Sequence, residues 1–357
     1  MSPYLFAIPV FFLLVAIELW VAHRRGVQVY RFQDTLTSMN IGTVSQFVNT
    51  IGGAISVAMY ALLVERFGAF TWDTSNPLTW VLALVLYDFF YYWVHRTGHE
   101  VNILWAAHVV HHSSEEFNMS TAMRQSSTGF YFRWVFYVPL ALLGFPLKVF
   151  LTVAVIDLVY QFWVHTRLIG RLGFLELFLV TPSNHRVHHG QNDYCIDKNY
   201  GGILSIWDRM FGTYADERAD EEPMYGVRKP LHSWNPVWGN VHHYFAIVAQ
   251  ARATPGWRNK LMCFFAGPGW VPPGAPAVPA RFEADKFVRF VTPSPTLMNR
   301  VALAATVIGS LLLMYFLFAQ KGFTPVQRFG FSGAMVLIYG AIGYAWLHPR
   351  VQGAAHV

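Results

Sequence analysis

Nine histidines fall in a pattern that could hold metal ions. His95 and His99 are spaced i, i+4, while His108, His111 and His112, and again His185, His188 and His189, are spaced i, i+3, i+4. His165 stands between the last two sets. On a helix such spacings put each set on one face, with neighbouring side chains about 5–6 Å apart. Imidazoles that close repel one another when protonated and are well placed when they share a metal. Nine candidate ligands exceed the needs of one ion, so two ions fit best. A zinc-protease arrangement would need Glu directly after the first histidine of His-x-x-x-His, and position 96 is Arg. Bis-haem ligation needs imidazoles on opposite sides of one macrocycle, which pairs one helical turn apart do not provide. Imidazole suits iron, copper and zinc. Beside lipid, where the abundant target is an unactivated C–H bond, only a redox metal makes chemical sense. The expected chemistry is that of a di-iron oxygenase: dioxygen is reduced, hydrogen is abstracted from carbon, and hydroxyl is returned to it.

Two acids accompany the pattern. Asp157 lies eight residues before His165, with Gln161 between them on the same helical stripe, and Asp88 and Tyr92 precede His95 and His99 in the same way. Ionisable residues inside membrane spans are costly and usually functional. Asp88 and Asp157 are therefore expected to accept hydrogen bonds from ligand imidazoles. His232, His242 and His243 fall in a Trp- and Asn-rich stretch and read as interfacial residues. His23, His348 and His356 lie outside the pattern.

The elements that must position these residues are membrane helices. Of the 357 residues 54% are hydrophobic, 17% aromatic and only 13% charged, against about 25% charged in a soluble domain. Mean hydropathy is +0.33. A purely aqueous, fibrous or disordered chain is excluded by this balance. Cys195 and Cys263 cannot make a disulfide framework and read as thiols. A net charge of +6 on so apolar a chain points to anionic lipid headgroups and not to nucleic acid. Apolar stretches long enough to span are expected at 4–22, which reads as an anchor and not a cleaved signal, and at 41–64, 77–94, 301–318 and 329–347. A further pair forms a hairpin over 129–165, turning at Gly144-Phe145-Pro146, with a short first arm that carries Arg133. Arg24, Arg25 and Arg31 mark the first loop as cytoplasmic. The third span and the hairpin then return His95 and His165 to that face. Lys321 and Arg328 fall on the outer side and disagree mildly.

The motifs His-x-x-x-His, His-x-x-His-His and a second His-x-x-His-His resemble those of the fatty acid hydroxylase / sterol desaturase superfamily of membrane di-iron enzymes. The stretches HEVNILWAAHVVHHSSEEFNMSTAMRQS (99–126) and TPSNHRVHHGQNDYCIDKNYGGILSIWDRMFGTY (181–214) narrow the resemblance to its tetrahydrobiopterin-dependent ether-lipid monooxygenases. The resemblance is strong over 88–214 and loose over the N-terminal spans. It implies that His95, His99, His108, His111, His112, His185, His188 and His189 are iron ligands, with His165 as a further one. It assigns Glu100 an essential role beside the metals. Asp197 and Asn199, in the DKNYGG turn, become loop-fixing or outer-sphere residues. It also implies hydroxylation beside an ether oxygen, giving a hemiacetal that falls apart to an aldehyde and glycerol. Related enzymes act with the same histidines on sterols, fatty acyl chains, carotenoids or aminolipids.

The chain therefore reads as an all-α, multi-pass membrane bundle with a cytoplasmic, histidine-rich di-metal cap. Its expected divisions are N-terminal transmembrane helices (1–76), a membrane-embedded di-iron hydroxylase domain (77–250), a Pro/Gly-rich cytoplasmic linker (251–298) and a C-terminal transmembrane hairpin (299–357). Two iron ions, O2 and a lipid substrate are implied. His348-Pro349-Arg350 is not a cytochrome b5 signature, so electrons are expected from a separate reductase or from tetrahydrobiopterin. Compactness suggests a bacterial inner membrane. The rival from another class is a metal or proton transporter, which would spread its histidines along a transmembrane path instead of gathering them at one face. A non-catalytic haem or zinc protein is the third reading.

Overall fold

The computed structural model describes residues 4–275 and 282–347, and these are helical apart from loops and two isolated β-bridges. Three long helices come first: α1 (Tyr4–Arg25), α2 (Phe32–Phe67) and α3 (Pro77–Glu100). The start of α3 is written locally. Asn76 accepts the Leu78 N–H at 3.0 Å, and Pro77 occupies the first turn, where its missing N–H costs nothing. Short helices α4 (Asn102–Ala106), α5 (Val109–His112) and α6 (Met119–Ala122) then fold beneath the end of α3.

The expected hairpin departs from two full spans. Its first arm is broken into α7 (Phe130–Arg133), a 3-10 turn and α8 (Val138–Leu142). Its second arm, α9 (Leu147–Trp163), has 17 residues, about 25 Å of rise against a hydrocarbon core of about 30 Å. The tip is locked from outside. Trp72 Nε1 donates to the Leu143 carbonyl at 2.8 Å, and Ala69 N–H to that of Leu142 at 2.8 Å. Gly144 there has φ +83°, and a Cβ would lie 2.1 Å from the Phe70 carbonyl oxygen, so only glycine fits. Tyr60, Tyr87, Tyr137 and Phe145 pack the core between α2, α3 and the hairpin, with Tyr87 and Tyr137 stacked at 4.6 Å.

Helix α10 (Pro182–His189) follows a reciprocal cap. The Thr181 hydroxyl and the Asn184 backbone meet at 3.5 Å, and Thr181 N–H donates to Asn184 Oδ1 at 3.1 Å. After α11 (Ile206–Met210) come α12 (Pro236–Ala253) and α13 (Trp257–Phe265). The segment expected as linker thus contains a helix, fastened to α4 where Asn102 N–H donates to the Ala266 carbonyl and Asn102 Nδ2 to that of Cys263. The chain closes with α14 (Thr296–Ala319) and α15 (Pro325–Leu347), which pack on α2 around Phe47, Phe316 and Phe331.

Among the described residues four helices are long and apolar enough to cross a membrane, and a fifth if α2, bent by 48° near residue 51, counts as one span. The protein is a multi-pass membrane protein. Arg25 Nη1 donates to the Leu168 carbonyl, and Arg31, Arg167 and Arg289 converge on the buried Glu116 carboxylate. The end of α1, the start of α2 and the loop after α9 thereby meet at the histidine-bearing end of the bundle.

Candidate metal centre

All nine histidines come together there, in two adjoining groups. One group is His95, His99, His108, His112 and His188, and the other His111, His165, His185 and His189, each with its ligand atoms within 4.8 Å of one another. The spacing does more than place each motif on one face. In both His-x-x-His-His motifs the i and i+4 rings serve one group and the i+3 ring the other: His108 and His112 against His111, then His185 and His189 against His188. Positions i+3 and i+4 differ by about 100° around a helix, so neighbouring histidines diverge and each motif serves both groups. The groups touch where His112 and His189 stack at 4.3 Å.

The protein's own polar groups fix the rings. His95 Nδ1–H donates to the Tyr200 carbonyl at 2.9 Å, His111 to that of Arg124 at 3.0 Å, His165 to that of Gln161 at 2.8 Å and His188 to that of Lys198 at 2.9 Å. Each bond leaves an Nε2 lone pair facing inward. The inward nitrogens approach one another closely: His95 to His108 at 3.2 Å, His112 to His108 at 3.1 Å, His165 to His111 at 3.3 Å and His185 to His165 at 3.0 Å. An ion bound to nitrogen at about 2.1 Å sets adjacent ligands about 3 Å apart. The Nε2 atoms of His99, His188 and His189 are buried without a hydrogen-bond partner, a costly condition that a metal would relieve. Burial, and then the neighbouring rings, holds His108, His112, His185, His188 and His189 well below the usual histidine range. Burial likewise pushes His111 down to about 4. Neutral imidazoles are the form that binds metal, so the donor set fits two ions.

The acids do other work than the spacing suggests. Asp88 receives the Ile203 N–H at 2.7 Å, the Leu204 N–H at 3.1 Å and Trp207 Nε1 at 2.8 Å, and so anchors the loop that carries Tyr200. Asp157 accepts from Gln161 Nε2 at 2.5 Å. Neither takes an imidazole N–H, because main-chain carbonyls already occupy that position. A Cβ on Gly202 would fall 2.6 Å from Asp157 Oδ1 and 2.8 Å from Asp88 Oδ1, so glycine lets the loop lie against both acids. Glu100 does not join either histidine group; Arg96 Nε donates to it at 3.0 Å on a side chain 40% exposed. Its charge and that of Asp197 fall near Tyr200, whose phenol is raised first by burial and then by these two carboxylates. His243 pairs with Asn102 at 2.8 Å and His242 with the Gly239 carbonyl. Neither belongs to a described metal group, and His348 and His356 lie outside the described residues.

Asn199 sits at φ +58°, a conformation Asn tolerates better than most residues. Its Nδ2 donates to the carbonyls of Asn184 and Ala215 at 3.0 and 2.8 Å, and its Oδ1 accepts from Ala215 N–H at 2.9 Å. The turn is thus tied to α10 between Thr181 and His185. Asn199→Ala is expected to lower unfolding stability by about 2–3 kcal/mol, from lost hydrogen bonds and backbone strain. Asn199→Gly should recover the strain component alone. Chemical denaturation in detergent compares the two.

Three contributors carry no spacing signal. They are the Arg124 carbonyl, the ring of Tyr200 at 5.3 Å from His99, and Phe117, which packs on His165 and His189 at 5.5 and 5.1 Å. From the histidines a cavity of about 420 Å³ runs into the bundle, lined by His95, His108, His111 and His165 and then mainly by apolar residues such as Phe12, Tyr87, Phe150 and Leu313, with Arg133, Asp157 and Gln161 among them.

Membrane helices, buried imidazoles in two sets and a largely apolar cavity leading to them are those of an integral-membrane protein whose histidines are compatible with a di-metal site. A family model described as fatty acid hydroxylase matches residues 80–213. The chain is 41% identical over 313 residues to alkylglycerol monooxygenase from Homo sapiens, covering 87% of this chain and 69% of that protein. It is 44% identical over 262 residues to the Xenopus tropicalis protein of the same name, covering 73% of this chain and 58% of that one. To the ornithine lipid hydroxylase of Rhizobium tropici it is 32% identical over 163 residues, 45% of this chain and 49% of that protein. No solved structure matches. The chain belongs to the fatty acid hydroxylase family, and its class is that of O2-dependent, lipid-oxidising oxidoreductases.

Proposed function

We propose that this protein is a di-iron monooxygenase that hydroxylates glyceryl ether lipids beside the ether oxygen. The observation that carries the reading is the pair of histidine groups, with inward nitrogens 3.0–3.3 Å apart at the head of an apolar cavity. His95, His99, His108, His112 and His188 would hold one iron, and His111, His165, His185 and His189 the other. When bound, the two ions supply the reduction of dioxygen that lets one oxygen atom enter a C–H bond. The chain itself holds four of the imidazoles, those of His95, His111, His165 and His188, in one tautomer through main-chain carbonyls, keeps bulk water from the buried rings and lines the alkyl chain mainly with apolar side chains. Asn199 and Asp197 shape the loop behind His188, and Glu100, beside Tyr200, contributes negative charge to an otherwise neutral shell. An ether carbon hydroxylated in this way yields a hemiacetal, which separates into an aldehyde and glycerol. The similarity to alkylglycerol monooxygenases supports the ether substrate; tetrahydrobiopterin, implied by the motif resemblance, and a separate reductase are the two electron sources to test. Arg24, Arg25 and Arg31 at the histidine-bearing end support a cytoplasmic active site, and the membrane we assign is the bacterial inner one.

Purified protein is expected to contain close to two irons per chain and no Soret band. In cells, deletion should leave alkylglycerols intact and expression should consume them. One zinc per chain, or haem, would sink the metal assignment. A hydroxylated aminolipid product would move the substrate toward that of the ornithine lipid hydroxylase, the second reading that similarity supports.

A further inference from the structure

Glu18 is a buried carboxylate, 3% exposed, in a helix whose neighbouring Ile17, Leu19 and Trp20 face outward. Such a group is expensive in a membrane helix unless its oxygens are satisfied. Three donors satisfy it. The Tyr30 hydroxyl donates at 2.5 Å, the Met119 N–H at 2.7 Å, and the Thr166 hydroxyl donates to the other oxygen. Thr166 directly follows His165 and also accepts the Leu168 N–H at 3.0 Å. Met119 begins α6, which leads to Arg124, the residue whose carbonyl takes His111 Nδ1–H. His165 and His111 both belong to the four-histidine group. No donor to Glu18 lies next to a member of the five-histidine group.

We infer that Glu18 is a positioning residue for the four-histidine site, acting through Thr166 on His165 and through Met119 on the segment that orients His111. The inference rests on the reading that both groups hold metal. It extends the metal centre's support to α1, outside the residues matched by the family model. Replacing partners outside the ligand shell typically costs 10–100-fold in metal affinity, and here the loss falls on one ion.

The test uses the full chain in detergent, loaded with ferrous iron and titrated with a chelator while iron content and the spectrum of the retained ion are followed. Glu18→Gln should release one ion at least about 10-fold more readily than the unaltered protein and keep the other. The retained ion should match the spectrum left by His165→Ala. Thr166→Val should weaken the same ion by less, and Tyr30→Phe, which removes the donor linked to neither histidine, should leave both. Two ions held as tightly in Glu18→Gln and Thr166→Val as in the unaltered protein would overturn the inference. So would parallel loss of both ions, the mark of a general structural role. If Glu18→Gln does not accumulate, Thr166→Val against Tyr30→Phe decides by the same criteria. Unaltered protein that never holds two ions would instead overturn the reading beneath it.

Discussion

Replacing His188 with alanine should remove one metal ion, and replacing its neighbour His189 should remove the other. The two side chains are adjacent in sequence yet belong to different groups, because consecutive helical positions diverge by about 100°. His188 faces His95 at 4.3 Å and His99 at 4.8 Å, whereas His189 faces His111 at 4.6 Å and His185 at 4.7 Å. Each loss should lower turnover by more than about 100-fold, the upper end of what an indirect change in the outer shell costs. The two proteins should nonetheless retain different ions. Iron stoichiometry near one in both, with distinct spectra of the retained ion, is the expected result. Identical spectra would mean that the rings share one site. The same reasoning separates His111→Ala from His112→Ala, and agreement between the two motifs would establish the alternation as a property of the spacing.

Arg124→Met is expected to be the most damaging change away from the histidines. The guanidinium is 1% exposed; its Nε donates to the Val110 carbonyl at 2.9 Å, and Nη1 donates to Ser38 at 3.1 Å and lies 3.7 Å from Asp34. Asp34 also takes the Ser114 hydroxyl at 2.5 Å and the Glu115 N–H at 3.3 Å. Removing the cation leaves that carboxylate buried with no counter-charge, which costs about 3–5 kcal/mol. The segment that carries His111 and His112 loses its inner anchor at the same time. Denaturant midpoints in detergent should fall accordingly, and any metal ion bound by the four-histidine group should be lost before unfolding. Asp34→Asn added to Arg124→Met should restore part of the stability, since the pair couples through direct contact. Full additivity would show that the ion pair is not the cause.

What the sequence revealed and what it hid follow from the range of each signal. Histidine spacing is local, so the three motifs and their excess of candidate ligands over the needs of one ion were legible residue by residue. Long apolar runs marked α1, α3, α14 and α15. The hairpin misled because hydropathy does not register that a new short helix starts at Val138-Pro139 or that the Leu143-Gly144 turn is clamped by Phe70 and Trp72, more than 70 residues earlier. Asp88 and Asp157 lie on the right helical stripe but serve a loop and a glutamine, because the imidazole N–H groups found carbonyls instead. Those carbonyls, from Tyr200, Arg124, Gln161 and Lys198, belong to the main chain that every residue carries, so side-chain pattern could not point to them. Arg124 lay in plain view within the 99–126 stretch, and only the fold explains its burial.

The cavity that reaches the histidines is walled in part by Phe12, Ser310 and Leu313, residues of helices that otherwise face the bilayer. A lipid approaching it would slide in sideways from a leaflet and never dissolve in water. The concentration that governs occupancy is then a mole fraction in two dimensions, set by how crowded that leaflet is with other lipids. Inert lipid becomes, in effect, a competitor, and at fixed dioxygen and electron supply the composition of the membrane would change the pace of turnover.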